Sequence, residues 1–321
     1  MLNAYQNPLT KKTMYQITNI KHKNPLLNQL IITNTALKFK AIIYPNLGAS
    51  LQKLSSNEID LIDGISNSEK GLNDYKSTYK SSILFPFPNR IHNGIYEFKG
   101  KKHKLNINET SLNNSLHGCI YNTHFTLKND NVSNDKASVT LHYSNKGTTL
   151  GFPFSYNFEI NYIFTRYKMS LNFAVLNSGN EAFPFGIGWH PYFKTNNITE
   201  SVLDFNATHQ YLFNEQMIPS SKTPLKHQTP LKIGTTFLDD CFIINKPATN
   251  FKTLEYDLNL EFSSKEKESY LQVYTPPHRK SIAIEPMTCA PNSFNNKDGL
   301  LTLQPNEKFD WEIQLSYQPK Y

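Results

Sequence analysis

Five ionisable side chains stand out in this sequence because of their neighbours. His190 lies in the run Gly186 to Phe193, Gly-Ile-Gly-Trp-His-Pro-Tyr-Phe. Pro191 biases the histidine toward extended backbone, the glycines leave room for close approach, and Trp189, Tyr192 and Phe193 supply rigid aromatic surface. That combination suits a binding cleft. The same run also describes a strand end with a satisfied, half-buried histidine. Glu285 follows Ile282-Ala283-Ile284 and precedes Pro286. Strand alternation sends Ile282 and Ile284 to one face and Ala283 with Glu285 to the other. Pro286 is expected to end regular pairing, leaving Glu285 at a strand end that faces a groove.

Arg90 follows Phe85-Pro-Phe-Pro-Asn89, a stiff aromatic lead-in that suits an arginine aimed at a ligand oxygen or a carboxylate. An ordinary surface arginine is the alternative. His117 precedes Gly118, which permits close backbone approach beside an imidazole. Asp239 and Asp240 sit between Leu238 and Cys241, in a pattern that fits an exposed turn as well as a site.

Two histidines, a glutamate, an aspartate and an arginine could in principle surround a metal. Each lies on a different segment, however, with no His-x-His or His-Glu-x-x-His spacing. Nor is there a glycine-rich nucleotide loop or a Gly-x-Ser-x-Gly elbow. What remains is metal-free acid and base chemistry on a polar, neutral ligand. Aromatic faces with hydrogen-bonding side chains are what a sugar requires, because its C–H faces stack on rings while its hydroxyls need donors and acceptors.

The elements that must carry these residues read as strands. Phe154, Tyr156, Phe158, Ile160, Tyr162 and Phe164 alternate with mostly polar residues. After a turn at 166–168, Met169, Leu171, Phe173 and Val175 repeat the pattern, which predicts a long hairpin. Leu271 with Val273, Ile282 with Ile284, and Trp311, Ile313, Leu315 and Tyr317 predict three further strands. Short strands are expected over 15–20 and 30–33, and 36–44 leads into a turn at Gly48. Residues 129–136 and 219–230 are expected as loops, and no helical periodicity competes. The fold class is all-β, a large β-sandwich.

The chain of 321 residues shows no repeat or linker, so one domain over residues 1–321 is expected. Its 38% hydrophobic content and mean hydropathy of −0.51 leave no apolar run long enough to span a membrane. The opening Met1 to Pro8 has no apolar leader core. Cys119, Cys241 and Cys289 are odd in number and far apart, which fits a reducing cytoplasm. The net charge of +7 rests on lysine, with Arg90, Arg166 and Arg279 the only arginines. Scattered lysines describe a solvated surface, and the dense 99–104 run reads as an exposed hairpin turn, so no nucleic-acid partner is expected.

In order, Leu47-Gly-Ala, Phe85-Pro-Phe-Pro-Asn-Arg-Ile91 with Gly94, Leu116-His-Gly, His190-Pro-Tyr-Phe, Asp239-x-x-Phe, Glu285-Pro and Pro291-Asn-Ser-Phe-Asn resemble the aldose 1-epimerase, or galactose mutarotase, family. The resemblance runs from about Ala36 to the last strand. It implies a galactose mutarotase-like supersandwich that interconverts the α and β anomers of free hexoses such as galactose or glucose, with no cofactor and no metal. Glu285 matches the catalytic base and His190 the general acid. His117 matches a second histidine near the ring oxygen, Arg90 a hydroxyl-binding arginine and Asp239 a carboxylate that holds sugar hydroxyls, while Tyr192, Phe193 and Asn89 are placed as supports. Cys119 after Gly118 and Lys194-Thr195 after Phe193 depart from the family pattern and bear on substrate fit. The expected partner is a monosaccharide, and the expected protein is a monomer or homodimer. A non-catalytic sugar-binding protein, a hexose-6-phosphate 1-epimerase and a glycoside hydrolase are the rival readings. A lectin has no use for both proton-transfer groups, a phosphate site needs several cations, and hydrolysis needs a flanking carboxylate pair.

Overall fold

Period-two burial is the rule along the chain, and it builds stacked antiparallel sheets. A computed structural model describes residues 14–263 and 268–320; the opening Met1 to Pro8 stretch lies outside the described residues. The strands Gln16–Ile20, Gln29–Asn34, Phe39–Tyr44, Ser50–Ser56 and Ile59–Asp60 form one sheet in sequence order. A fifteen-stranded sheet holds most of the rest. Its central path includes the hairpin Ser155–Phe164 with Lys168–Asn177, then Lys308–Pro319, Tyr256–Phe262, Asp239–Lys252, Ser269–Tyr274 and Ser281–Met287. The fold is all-β, a large β-sandwich.

The predicted hairpin pairs Phe158 with Val175 and Ile160 with Phe173, so both inward rows come into register. Tyr156, Phe158, Ile160, Tyr162 and Phe164 are fully buried and pack with Phe39 of the five-stranded sheet and Trp311 of the last strand in a continuous core. Phe39 meets Phe164 at 5.7 Å between ring centroids, and Trp311 stacks on Phe173 at 5.5 Å. The Tyr162 hydroxyl donates to the Ala49 carbonyl at 2.8 Å, which ties the two sheets together through a satisfied buried polar group.

The structure corrects several expectations. Residues 129–132 belong to the exposed strand Thr126–Val132, with the turn confined to 133–136. Pro219–Pro224 is likewise a strand, paired with residues 209–213, because prolines are tolerated at a sheet edge. The helix Glu69–Thr78, absent from the sequence reading, is capped by Ser68, whose side chain accepts from the Gly71 amide, and buries Leu72 and Tyr75 on one face. Its short run offers only these two apolar positions at helical spacing. Pro286 does not end its strand: Ser281–Met287 runs through it, with Pro286 opposite Leu271. The Ile284 amide bonds the Pro191 carbonyl, so alternation turns the donor-less side of Pro286 toward the interrupted 188–194 edge, where no ladder is broken. The 99–104 run, expected as a hairpin turn, holds the turn at Lys99 and Gly100, while Lys101–Lys104 is a strand paired with Ile95–Phe98.

Gly118 has a left-handed φ of +75°, and a Cβ there would sit 2.2 Å from the Phe85 carbonyl oxygen. Gly118→Ala is expected to lower the unfolding free energy by about 1–3 kcal/mol, as read from the urea midpoint at unchanged m-value.

Candidate functional site

Three strands and two connecting loops bring the singled-out residues to one cleft. The register that pairs Gly188 with Met287 and Tyr192 with Ala283 places His190 directly across from Glu285. Their side chains share one face at a position where neighbouring strands lack mutual hydrogen bonds and side chains approach most closely. His190 Nε2 lies 3.5 Å from Glu285 Oε1. Both side chains are almost wholly buried, 6% and 2% exposed. Between the short strands the Pro191 carbonyl still accepts from Ile284, but His190 makes no backbone hydrogen bond to the facing strand. Instead the His190 amide donates to the Ser82 carbonyl and its carbonyl accepts from the Ser81 amide.

Aromatic contacts fix the imidazole further. Tyr192 stacks on it at 5.1 Å and 12°, and the His117 ring meets its edge at 4.9 Å. His117 follows the strand Asn114–Leu116 in a left-handed conformation, its amide donating to the Asn89 carbonyl, and packs on Tyr79. Arg90, on the strand Arg90–His92 beside it, gives a two-pronged ion pair to Glu109, with Nη2 and Nε at 2.8 and 2.9 Å from its oxygens. On the facing wall Gln272 pairs across from Glu285; its amide donates to Asp239 at 2.8 Å and accepts from Asn89 at 3.3 Å. These residues line a cleft of about 340 Å³.

Burial dominates the electrostatics. The Glu285 carboxyl is held well above the usual carboxylate range by desolvation and by the nearby Asp239 carboxylate, against the opposing pull of Arg90. Desolvation pushes His190 down, and His117 is pushed well down by burial, His190 and Arg90. Burial thus disfavours the charged form of each group, and the 3.5 Å gap is too long for a strong hydrogen bond between them. Asp239 is raised more modestly, by burial and by Asp240, with Arg90 opposing. Its side chain is open to solvent at the mouth even though packed protein surrounds it. Glu285 Oε2, His190 Nδ1 and His117 Nδ1 are buried with no hydrogen-bond partner among the described residues. Among those residues no three His, Cys, Asp or Glu side chains come together to hold a metal ion, and no helix is long and apolar enough to cross a membrane.

All five residues named from sequence, Glu285, His190, His117, Arg90 and Asp239, line this one cleft. The aspartate doublet separates: Asp239 faces the cleft, and Asp240 is engaged by Gln210 and lies 3.9 Å from Lys226. Tyr192 and Asn89, expected as supports, line the cleft, whereas Phe193 is buried in the core. Cys119 and Lys194-Thr195 are not part of the lining, so the family departures there fall behind the wall. Sequence reading missed Gln272, Tyr79, Lys80 and Glu109, which also line it. Gln272 carried a usable signal as the polar residue between Leu271 and Val273. Glu109 carried none, because only folding brings it to Arg90.

A fold of this shape is known. The chain superposes on a galactose mutarotase-like protein from Clostridium acetobutylicum with a TM-score of 0.83 at 20% identity, covering 96% of this chain and 99% of that one. It superposes on galactose 1-epimerase from Lactobacillus acidophilus NCFM with a TM-score of 0.77 at 16% identity, covering 96% and 99%. The sequence model of the aldose 1-epimerase family matches residues 29–316, and the chain belongs to that family. Among its relatives, the uncharacterized protein YihR of Escherichia coli K12 is 28% identical over 232 residues, 69% of this chain and 74% of that protein.

The raised Glu285 acid gives a stability prediction. In the unfolded chain the carboxyl ionises near ~4.3, whereas the folded chain keeps its proton to higher pH. Stability contributed by the neutral folded acid is therefore complete below the unfolded value and is lost as pH rises toward the folded one. Glu285→Gln carries no such loss, so its melting temperature is expected to gain on wild type between pH 4.5 and pH 8, as followed by thermal denaturation at both pH values.

Proposed function

We propose that this protein is an aldose 1-epimerase that interconverts the anomers of a free hexose by acid and base catalysis without a cofactor. The observation that carries this reading is the Glu285 carboxyl facing the His190 imidazole at 3.5 Å on the floor of a polar, aromatic-walled cleft. In the working form Glu285 is ionised and His190 protonated. Glu285 accepts the proton of the anomeric hydroxyl, the C1–O5 electron pair moves to O5, and His190 protonates O5 as the ring opens to the aldehyde. Rotation about C1–C2 presents the other carbonyl face. Attack by the O5 hydroxyl, with Glu285 giving its proton back to O1 and His190 taking back the O5 proton, closes the opposite anomer. His117 sits beside His190 to hold the ring oxygen side, while Arg90 and Asp239 bind hydroxyls.

The resting and working forms of the pair contain the same single proton, which is on carbon-bound carboxyl in one and on imidazole in the other. pH therefore cannot select between them. Sugar hydroxyls entering the dry site, together with the Arg90 guanidinium, favour the ionic form. Activity is lost when the pair gains a second proton or gives up its only one, so the limbs belong to the pair as a unit. The direction of the shifts sets them wide, with the alkaline limb above the ordinary carboxylate range and the acid limb below the ordinary imidazole value. A non-catalytic lectin on this fold would not need two ionisable groups buried at such cost.

Polarimetry of freshly dissolved α-D-glucose and α-D-galactose tests the reading. Wild type is expected to speed relaxation and Glu285→Gln to lose about 10²–10⁴-fold of that rate, the range for a general acid or base, while retaining sugar binding. Relaxation at the spontaneous rate with wild type would refute it. A pH profile for the wild type with no decline on either side would remove Glu285 and His190 from their assigned roles.

A further inference from the structure

Among the described residues, Arg90 and Lys80 are the only lysine or arginine side chains in the lining of the cleft, and each is already matched by a carboxylate. Arg90 forms its two-pronged pair with Glu109, and the two side chains are 14% and 13% exposed. Glu109 Oε2 also accepts from the Asn114 side-chain amide at 3.0 Å, which fixes the carboxylate in place. Lys80 Nζ lies 2.7 Å from Asp63 Oδ2, the side chains being 14% and 20% exposed, and the same oxygen accepts from the Ser281 hydroxyl at 2.9 Å. Every other lysine or arginine ion pair among the described residues has at least one partner that is 38% exposed or more. Shielded pairs of this kind add little to stability, because withdrawing both charges from water costs about as much as their attraction returns. Their placement at one cleft points to the ligand.

We propose that Glu109 and Asp63 are specificity-determining residues: by matching Arg90 and Lys80 they make the cleft accept neutral sugars and refuse anionic ones such as hexuronates. The inference rests on the mutarotase reading for the class of ligand. The pairs remove the positive field of the cleft while keeping its donors. Glu109 engages Arg90 at Nε and Nη2, and Asn89 Oδ1 lies 3.4 Å from Nη1, so part of the guanidinium fork stays free for a ligand oxygen. The charges of the two pairs cancel. Asp239 and Glu285, the other carboxyls of the lining, have no lysine or arginine ion partner among the described residues, so any charge they carry makes the cleft negative. A hydroxyl is served by an N–H donor whether or not the charge behind it is compensated, whereas a carboxylate gains only from positive charge left over. A hexuronate is built on the same ring as a hexose, with a carboxylate in place of the exocyclic hydroxymethyl group. Charge rather than shape turns it away.

The test measures kcat/KM by polarimetry and binding by calorimetry for freshly dissolved D-glucose and D-glucuronate, using the full chain. Wild type is expected to favour glucose. Glu109→Gln keeps an acceptor for Arg90 but not the charge, and is expected to raise the glucuronate-to-glucose ratio about tenfold, the effect of one uncompensated charge across a partly solvated cleft. That gain is expected to shrink as salt is raised. Glu109→Asp, which keeps the charge, is expected to keep the wild-type ratio. Mere displacement of Arg90 would instead slow both sugars and leave their ratio insensitive to salt. Asp63→Asn is expected to act in the same direction through Lys80, and it reads the proposal even if Glu109→Gln does not fold. Equal handling of both sugars by wild type, or a ratio unmoved in either variant once folded, overturns the charge matching and leaves the mutarotase reading standing. If wild type accelerates neither sugar, the mutarotase reading fails, and the binding ratio in the same variants decides the charge matching by itself. Binding of neither sugar overturns both.

Discussion

An acid and an imidazole buried face to face, with too little contact between them to stabilise either charge, are the constraint around which this molecule is built. Water is withheld from Glu285 and His190 by the same packing that aligns them. Their proximity comes directly from sheet register, since the continuous strand carrying Glu285 pairs with the short strands on both sides of His190. A register slip of one residue would turn Glu285 into the opposite face. The continuous strand through Pro286 and the two short strands around His190 are therefore one device.

Around this costly pair the walls are rigid. Arg90 is held by both oxygens of Glu109, an arrangement in which loss of either partner leaves a poorly solvated charge behind. Across the cleft, Asn89, Gln272 and Asp239 form a hydrogen-bonded line that orients the aspartate without a cation of its own. Polar groups that would be a liability if left to rotate are thus aimed before any ligand arrives, which is the condition for electrostatic stabilisation without reorganisation.

Much of this was legible in the chain itself. Strands with one apolar face announce themselves through period two, and so the Ser155–Phe164 hairpin, the C-terminal strands and the side of the sheet taken by Glu285 follow from alternation. Most of the site residues were legible for a different reason: His190 and Glu285 adjoin a proline, His117 adjoins a glycine, and Arg90 follows a proline-rich lead-in, while Asp239 stood out only as half of a doublet between apolar residues. What escaped depended on distance. Glu109 has no local mark and matters only through Arg90, and the helix Glu69–Thr78 is too short for its periodicity to stand out. Pro286 was misread because the rule that proline breaks a ladder holds only if its missing donor faces a partner, and here it faces a gap. Only the first half of the 219–230 segment departs from the expected loop, because Pro219–Pro224 pairs as an edge strand.

The exchange of hydrogen bonds between His190 and the Ser81-Ser82 turn has a structural meaning. That turn follows the helix Glu69–Thr78 directly after Lys80, whose Nζ sits over the Tyr192 ring that in turn lies flat against His190. The histidine backbone is therefore held by this turn, and its ring by Tyr192, which pairs with Ala283 of the strand that carries Glu285. The two groups that face each other on the cleft floor are thus joined through one sheet, with the turn after the helix bracing the histidine's backbone as well.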